Sequence, residues 1–348
     1  MESNEITDKE ESRKCPMSKI DNTSKTILTY IRKRLKQKYG EDRPLRAVHA
    51  KSIGLVNAFI DVEKLSPELS IGLFRTPGRY DAFIRFTNGS PRIGADNKRS
   101  TKGMAIRIFP TGNRKLSDDE PAIAHQDIVL LTSQGFYPES YDLQLSGIIT
   151  AIGKKVQSIA NAFILSVISP FKAFRFFIGL LKTPNVLEET FYSCTPYKYG
   201  NKSIIKWAAR PLKPVISIMP GKPGDNYLRE KLIEDLSLDS RDEVAFELLV
   251  QFQESKTKEP IENTAVIWKT PFHRVAKITI PPQYIDTIER GQLDLNTYFC
   301  PGNAIKEHAP LGSVNMIRSQ VYSALGKERI DFGTKKKNPV ENTISMDQ

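Results

Sequence analysis

The sequence predicts an α+β fold in which a largely antiparallel sheet or barrel is packed by helices. Two observations carry that expectation. Six or more short segments rich in aromatic and β-branched residues follow one another with Pro-, Asn- or Gly-containing turns between them, a succession of hairpins rather than of βαβ units. Helical character is confined to a stretch before the first strand, a long middle stretch and a segment near the carboxyl end.

Residues 1–20 are charged, lack a hydrophobic signal core and read as a disordered lead. Over residues 26–39, Ile27, Ile31, Leu35 and Tyr39 recur every fourth position, the stripe of an amphipathic helix with Lys25, Arg32, Lys33, Arg34, Lys36 and Lys38 around it. Packing that stripe on the domain is the simpler reading; a basic arm for a membrane or partner is the other. Strands follow at residues 54–62, 80–89, 103–109 and 127–131, then at 244–252, 265–268 and 275–280. Between the two groups lies a helical insertion over about 145–182. Its apolar run 159–168 is interrupted by Pro170, Lys172 and Arg175 before the ~20 residues a membrane span needs. Phe171, Phe174, Phe176 and Phe177 interleave with cations, which leaves a peripheral membrane contact through 159–181 open beside a lid or a subunit contact. Residues 21–332 thus form one domain, and 333–348 a flexible polar tail.

With 348 residues the chain is long enough for a large core. Its net charge of +11 invites nucleic acid, but the cations are spread along the chain without a tract of interleaved aromatics, so nucleic-acid binding is not expected. An anionic cofactor is a more economical use for several arginines. Three cysteines, Cys15, Cys194 and Cys300, have no metal-like spacing and fit a reducing, cytoplasmic setting. The four histidines, His49, His125, His273 and His308, likewise include no pair at zinc-ligand spacing.

Near the carboxyl end, a helix over 315–325 would set Arg318 and Tyr322 four residues apart on one face. A permanent cation beside a phenol favours the tyrosinate, one of the few protein anions that ligate haem iron. Taken alone, the pair equally describes a surface helix with an arginine and a half-buried tyrosine.

Four stretches in order resemble the catalase superfamily, in particular its shorter haem-binding members. Arg46-Ala47-Val48-His49-Ala50-Lys51 is similar to the family's Arg-x-Val-His-Ala-Lys motif, and Ile84-Arg85-Phe86-Thr87 to its Val-Arg-Phe-Ser. Lys102-Gly103-Met104-Ala105-Ile106-Arg107-Ile108 resembles Arg-Gly-Phe-Ala-Val-Lys-Phe, and Arg318-x-x-x-Tyr322 with Arg329 seven residues on resembles the haem-ligand helix. The resemblance runs from about residue 45 to 329. It implies a catalase-type antiparallel barrel of about eight strands with surrounding helices, and haem b buried between the barrel and a carboxyl-terminal helix.

Carried over residue by residue, the resemblance makes Tyr322 the proximal iron ligand, Arg318 its charge partner and His49 the distal acid/base. Thr87 orients the histidine, while Arg46, Arg85 and Arg329 meet the haem propionates. Phe136 covers the haem face and Val48 narrows the channel. The substrate class implied is a peroxide or hydroperoxide. One departure stands out: where catalases carry a distal asparagine, the corresponding region is Ala124-His125-Gln126-Asp127, so Gln126 is the candidate amide and His125 a second candidate. A displaced or absent amide disfavours hydrogen peroxide disproportionation. The expected function is therefore haem-dependent reduction of organic, lipid or hydrogen peroxides. A true catalase, a fatty-acid hydroperoxide rearrangement of the allene oxide synthase kind and a haem-binding or membrane-associated protein without turnover are the alternatives. A homo-oligomer is left open.

Overall fold

The computed structural model describes residues 16–40, 46, 49–90, 93–98, 100–112, 115–116, 124–135, 183–213, 217–239 and 243–337. The insertion over 145–182, with its membrane-contact segment 159–181, lies outside them, as do residues 1–15 and 338–348. Among the described residues no helix is long and apolar enough to cross a membrane.

Nine strands make one antiparallel sheet: β1 Ser52–Val62, β2 Gly78–Asn88, β3 Lys102–Phe109, β4 Gln126–Leu131, β5 Phe191–Tyr192, β6 Tyr197–Tyr199, β7 Ser203–Pro211, β8 Val244–Phe252 and β9 Phe272–Ile280. Their order is β5-β4-β3-β2-β1-β9-β8-β7-β6, and β5 also pairs with β7. That extra pairing closes an eight-stranded barrel, leaving β6 as a flap on β7. Closure removes the free edges that an open sheet would expose. Side chains alternate across each strand, so Ile84 and Phe86 of β2 and Met104, Ile106 and Ile108 of β3 fill the buried interior. The residues between them, Arg85, Thr87, Gly103 and Ala105, therefore share the outer face.

One expectation about strands needs correction. The segment 265–268 is a turn followed by irregular chain, because side chains take its carbonyls: Lys206 Nζ donates to Val266 O and Gln251 Nε2 to Trp268 O. The ladder place belongs instead to β7, a central strand whose Lys206 and Arg210 hide its β character from periodicity. Lys206 is buried with its ammonium 4.7 Å from the Trp268 ring centroid.

Helix α1, Met17–Tyr39, begins inside the stretch expected to be a disordered lead. Ile20, Ile27 and Ile31 pack on Ile317 and Val321 of α4, Ser313–Lys337, with Tyr322 and Leu325 at the margin of the same cluster. Two shorter helices are present among the described residues, α2 at Tyr227–Asp235 and α3 at Ile288–Asn296. At the start of α4 the Ser313 N–H and hydroxyl both donate to the Glu262 carboxylate, which serves as the helix's negative cap.

Candidate functional site on the outer barrel face

The site is assembled where β1 to β3 meet. His49 sits just before β1, whose register slips between Ser52 and Gly54. Its backbone is left-handed, φ 51°, a conformation that costs a non-glycine residue about 1–3 kcal/mol and turns the side chain toward β2 and β3. Nδ1 of His49 lies 2.8 Å from Thr87 Oγ1, and Thr87 Oγ1 is 3.5 Å from the Gly103 carbonyl. Thr87 and Gly103 are ladder partners. A methyl group on Gly103 would stand 2.5 Å from Thr87 Oγ1 and 2.7 Å from His49 Nδ1, so only glycine lets the imidazole lie against the strand. Burial pushes the His49 pKa down to about 3, and Arg85, Arg318 and Arg46 add electrostatic opposition to a second proton. The ring is a neutral imidazole.

Behind it, Lys51 pairs with Asp96 at 2.8 Å, and buried Lys102 donates to Asn88 Oδ1 at 2.9 Å. Burial lowers the Lys102 pKa to about 8. Since Asn88 follows Thr87 and Lys102 precedes Gly103, this network holds the two backbones that carry the hydroxyl and the glycine.

Three arginines from distant parts of the chain converge on residues 294–297, and two of them, Arg85 and Arg46, act on His49. Arg46 Nη2 donates to Asp294 O (2.6 Å), Asp294 Oδ1 (3.2 Å) and Thr297 O (2.6 Å). Arg85 donates through Nε to Asp294 Oδ1 (2.5 Å) and through Nη1 to His49 O (3.3 Å). Arg329 donates to Leu295 O (2.9 Å) and Thr297 O (2.8 Å). Three guanidiniums face one carboxylate, leaving a surplus of two positive charges. The strain is electrostatic: burial, then Arg85 and Arg329, push the Arg46 pKa well below the usual value, and burial with Arg85 lowers that of Arg329 to about 10. The Asp294 carboxyl is lowered as well: burial opposes its charge, but Arg85 and Arg46 outweigh that opposition and hold it below the ordinary carboxylate value.

On α4, the Arg318 guanidinium carbon is 5.6 Å from the centroid of the Tyr322 ring. Arg318 Nη1 donates to Thr195 Oγ1 (2.9 Å) and Asn315 Oδ1 (3.0 Å), while its buried Nε has no hydrogen-bond partner among the described residues. Burial opposes the Arg318 charge, yet the oxygens of Tyr322 and Tyr197 outweigh it and raise its pKa.

His49, Thr87, Arg46, Arg85, Arg318 and Arg329 are thus within one electrostatic neighbourhood, with Tyr322 against Arg318. Gln126 is not. It pairs with Ile108 at the opposite end of the β3–β4 ladder from Gly103, and its buried amide accepts from Ile305 N and donates to Asp127 O. The strand position opposite Gly103 is Leu131. His125 lies at the same far end, near Phe109. Val48 and Phe136 fall outside the described residues. Sequence reasoning missed Asp294, Thr195 and Asn315. Only Asn315 carried a signal, standing three residues before Arg318 on the same helix face.

No protein-family model matches the chain, and no curated protein sequence does. Its backbone does superpose on solved catalases. A fungal catalase matches with a TM-score of 0.65 at 14% identity over 85% of this chain and 62% of its own, and a bacterial catalase with 0.64 at 14% over 87% and 60%. Catalase A from Saccharomyces cerevisiae matches with 0.58 at 15% over 86% and 64%. The chain spans about three fifths of the length of these catalases, and the likeness establishes a catalase-like fold.

Proposed function

We propose that this chain binds haem b and uses it, with two electrons from a reducing co-substrate, to reduce hydroperoxides, with Tyr322 as the iron ligand and His49 as the acid/base. The observation that carries the reading is the surplus of two positive charges on Arg46, Arg85 and Arg329, of which Arg46 and Arg85 lie beside a neutral histidine. A flat group bearing two carboxylates answers that surplus by charge-assisted pairing. Two features of the site also fit such a group. Gly103 and Ala105 keep the barrel's outer face low beside His49, and the unpartnered Arg318 Nε is a donor that a Tyr322 phenolate would accept.

When bound, haem supplies the redox chemistry, and the protein positions and tunes it. With Nδ1–H given to Thr87, the His49 Nε2 lone pair takes the proton of the incoming hydroperoxide and returns it to the departing oxygen. A weakly basic imidazole suits that shuttle because it gives the proton up again readily. Arg318 stands over the Tyr322 ring, which places a permanent cation beside the phenol that would ligate iron. Gln126 is engaged at the other end of β4, which favours hydroperoxide reduction over disproportionation of hydrogen peroxide.

The test is an optical spectrum of hemin-reconstituted protein, wild type beside Tyr322→Phe, followed by stopped-flow mixing with cumene hydroperoxide. A high-spin ferric spectrum that the variant loses, and rapid wild-type reaction, are expected. An identical spectrum in both proteins overturns the assignment of Tyr322, and an inert ferric protein overturns the enzymatic reading.

A further inference from the structure

Arg46, Arg85 and Arg329 spend their donors on one place. Of the seven hydrogen bonds described above for them, six end on residues 294–297 at the carboxyl end of α3, and the seventh ends on His49 O. That end of a helix is its negative pole, where carbonyls lack intrahelical partners, and Asp294 adds a formal charge there. Helix α3 meanwhile buries none of its residues. Ile288 is 77% exposed and Leu295 52%, so little apolar contact holds the helix to the barrel. Its attachment is polar, through these bonds and through Arg290 Nη1 to Asn57 Oδ1 at 2.7 Å.

We propose that residues 294–297 act as a built-in surrogate anion, holding the three-arginine site until a dicarboxylate ligand replaces them, so that loading the site releases the end of α3. The identity of the ligand rests on the haem reading above; the surrogate contact does not. Two ligand carboxylates make charge-assisted bonds with all three guanidiniums, whereas Asp294 offers one carboxylate and the other acceptors are neutral carbonyls. Departure of α3 costs little apolar burial because its apolar side chains, such as Ile288 and Leu295, already face water.

Amide hydrogen exchange over α3 reads the displacement directly. It is measured on wild-type protein alone, with hemin, and with hemin dimethyl ester, whose propionates are blocked. Faster exchange of α3 with hemin but not with the ester is expected. Hemin titrations of Asp294→Ala and of the shape-preserving Asp294→Asn should give binding about tenfold tighter than wild type, the worth of one charge-assisted bond removed from the competitor. Unchanged or slower α3 exchange on loading overturns the proposal, as does weaker hemin binding by the variants, which would make Asp294 a positioning residue for the arginines. If wild type takes up no hemin, the haem reading fails, and the surrogate contact is then judged in the unliganded protein. There Asp294→Asn must speed α3 exchange, and unchanged exchange overturns the contact.

Discussion

Thr87 Oγ1 lies 2.8 Å from His49 Nδ1 and within reach of the Gly103 carbonyl, so a strand hydroxyl decides which imidazole nitrogen keeps its lone pair. If the hydroxyl donates to the carbonyl, it accepts from Nδ1–H and leaves Nε2 free. Thr87→Val keeps the shape of the side chain and removes the acceptor. The rate of reaction with hydroperoxide is expected to fall about tenfold to a hundredfold, as for other partners that orient a functional histidine. Thr87→Ser should retain most of the rate, and stopped-flow kinetics of the three proteins checks both.

Gly103→Ala tests the close approach from the other strand. The added methyl stands under 3 Å from both the Thr87 hydroxyl and the His49 ring. Crowding of this kind costs about 1–3 kcal/mol, and here it also drives the imidazole off the barrel face. The variant should fold with a lowered melting temperature and lose the hydroperoxide reaction, measured by thermal unfolding and by stopped flow.

The depressed pKa of His49 has a signed consequence for stability. Its folded value is about 3 against an ordinary 6.5, so between those values the unfolded chain binds a proton that the native protein refuses. The contribution is intact above about pH 6.5 and is lost progressively as pH falls toward 3. His308, also pushed down to about 3 by burial, acts in the same window. Urea unfolding from pH 7 to pH 4 should show a shallower pH slope for His49→Gln than for wild type, by up to one proton. Parallel slopes would mean that His49 titrates normally.

Arg329 should separate stability from ligand capture. Arg329→Met removes one of three mutually repelling cations along with two hydrogen bonds to neutral carbonyls. These effects oppose one another, so the stability of the unliganded protein should change by no more than about 1 kcal/mol. Hemin affinity should fall at least about tenfold through loss of a charge-assisted partner. Denaturant melts and hemin titration give the two numbers.

The first turns of α1 are structural. Ile27, at 4% exposure, packs with Ile20 and Ile31 on the α4 face whose margin includes Tyr322. Ile27→Ala should destabilise the protein by about 2–4 kcal/mol through transfer and cavity costs. Hemin should leave the variant faster in competition with apomyoglobin, because α4 loses its backing.

Much of the barrel was legible locally. Aromatic and β-branched residues bounded by turn signals mark the strands at residues 54–62, 80–89, 103–109, 127–131, 244–252 and 275–280, because both signals are local. The one-turn spacing of Arg318 and Tyr322 was equally readable, because helical neighbours are set by sequence separation. Strand β7 was not legible, as its buried lysine only makes sense once the Val266 carbonyl and the Trp268 ring are beside it. Nor was Gln126's removal from the site, because a residue's place along a ladder depends on the register of strands far apart in sequence.

What the sequence by itself determined is six of the strands, the helical pair and the chemical types that lie near one another: a histidine, a hydroxyl, a glycine and several arginines. Only the tertiary structure decided that β5 closes the barrel through β7, that His49 is held neutral, and that Asp294 stands among three arginines. Charge balance and burial are sums over contacts between segments hundreds of residues apart, and no local pattern encodes them.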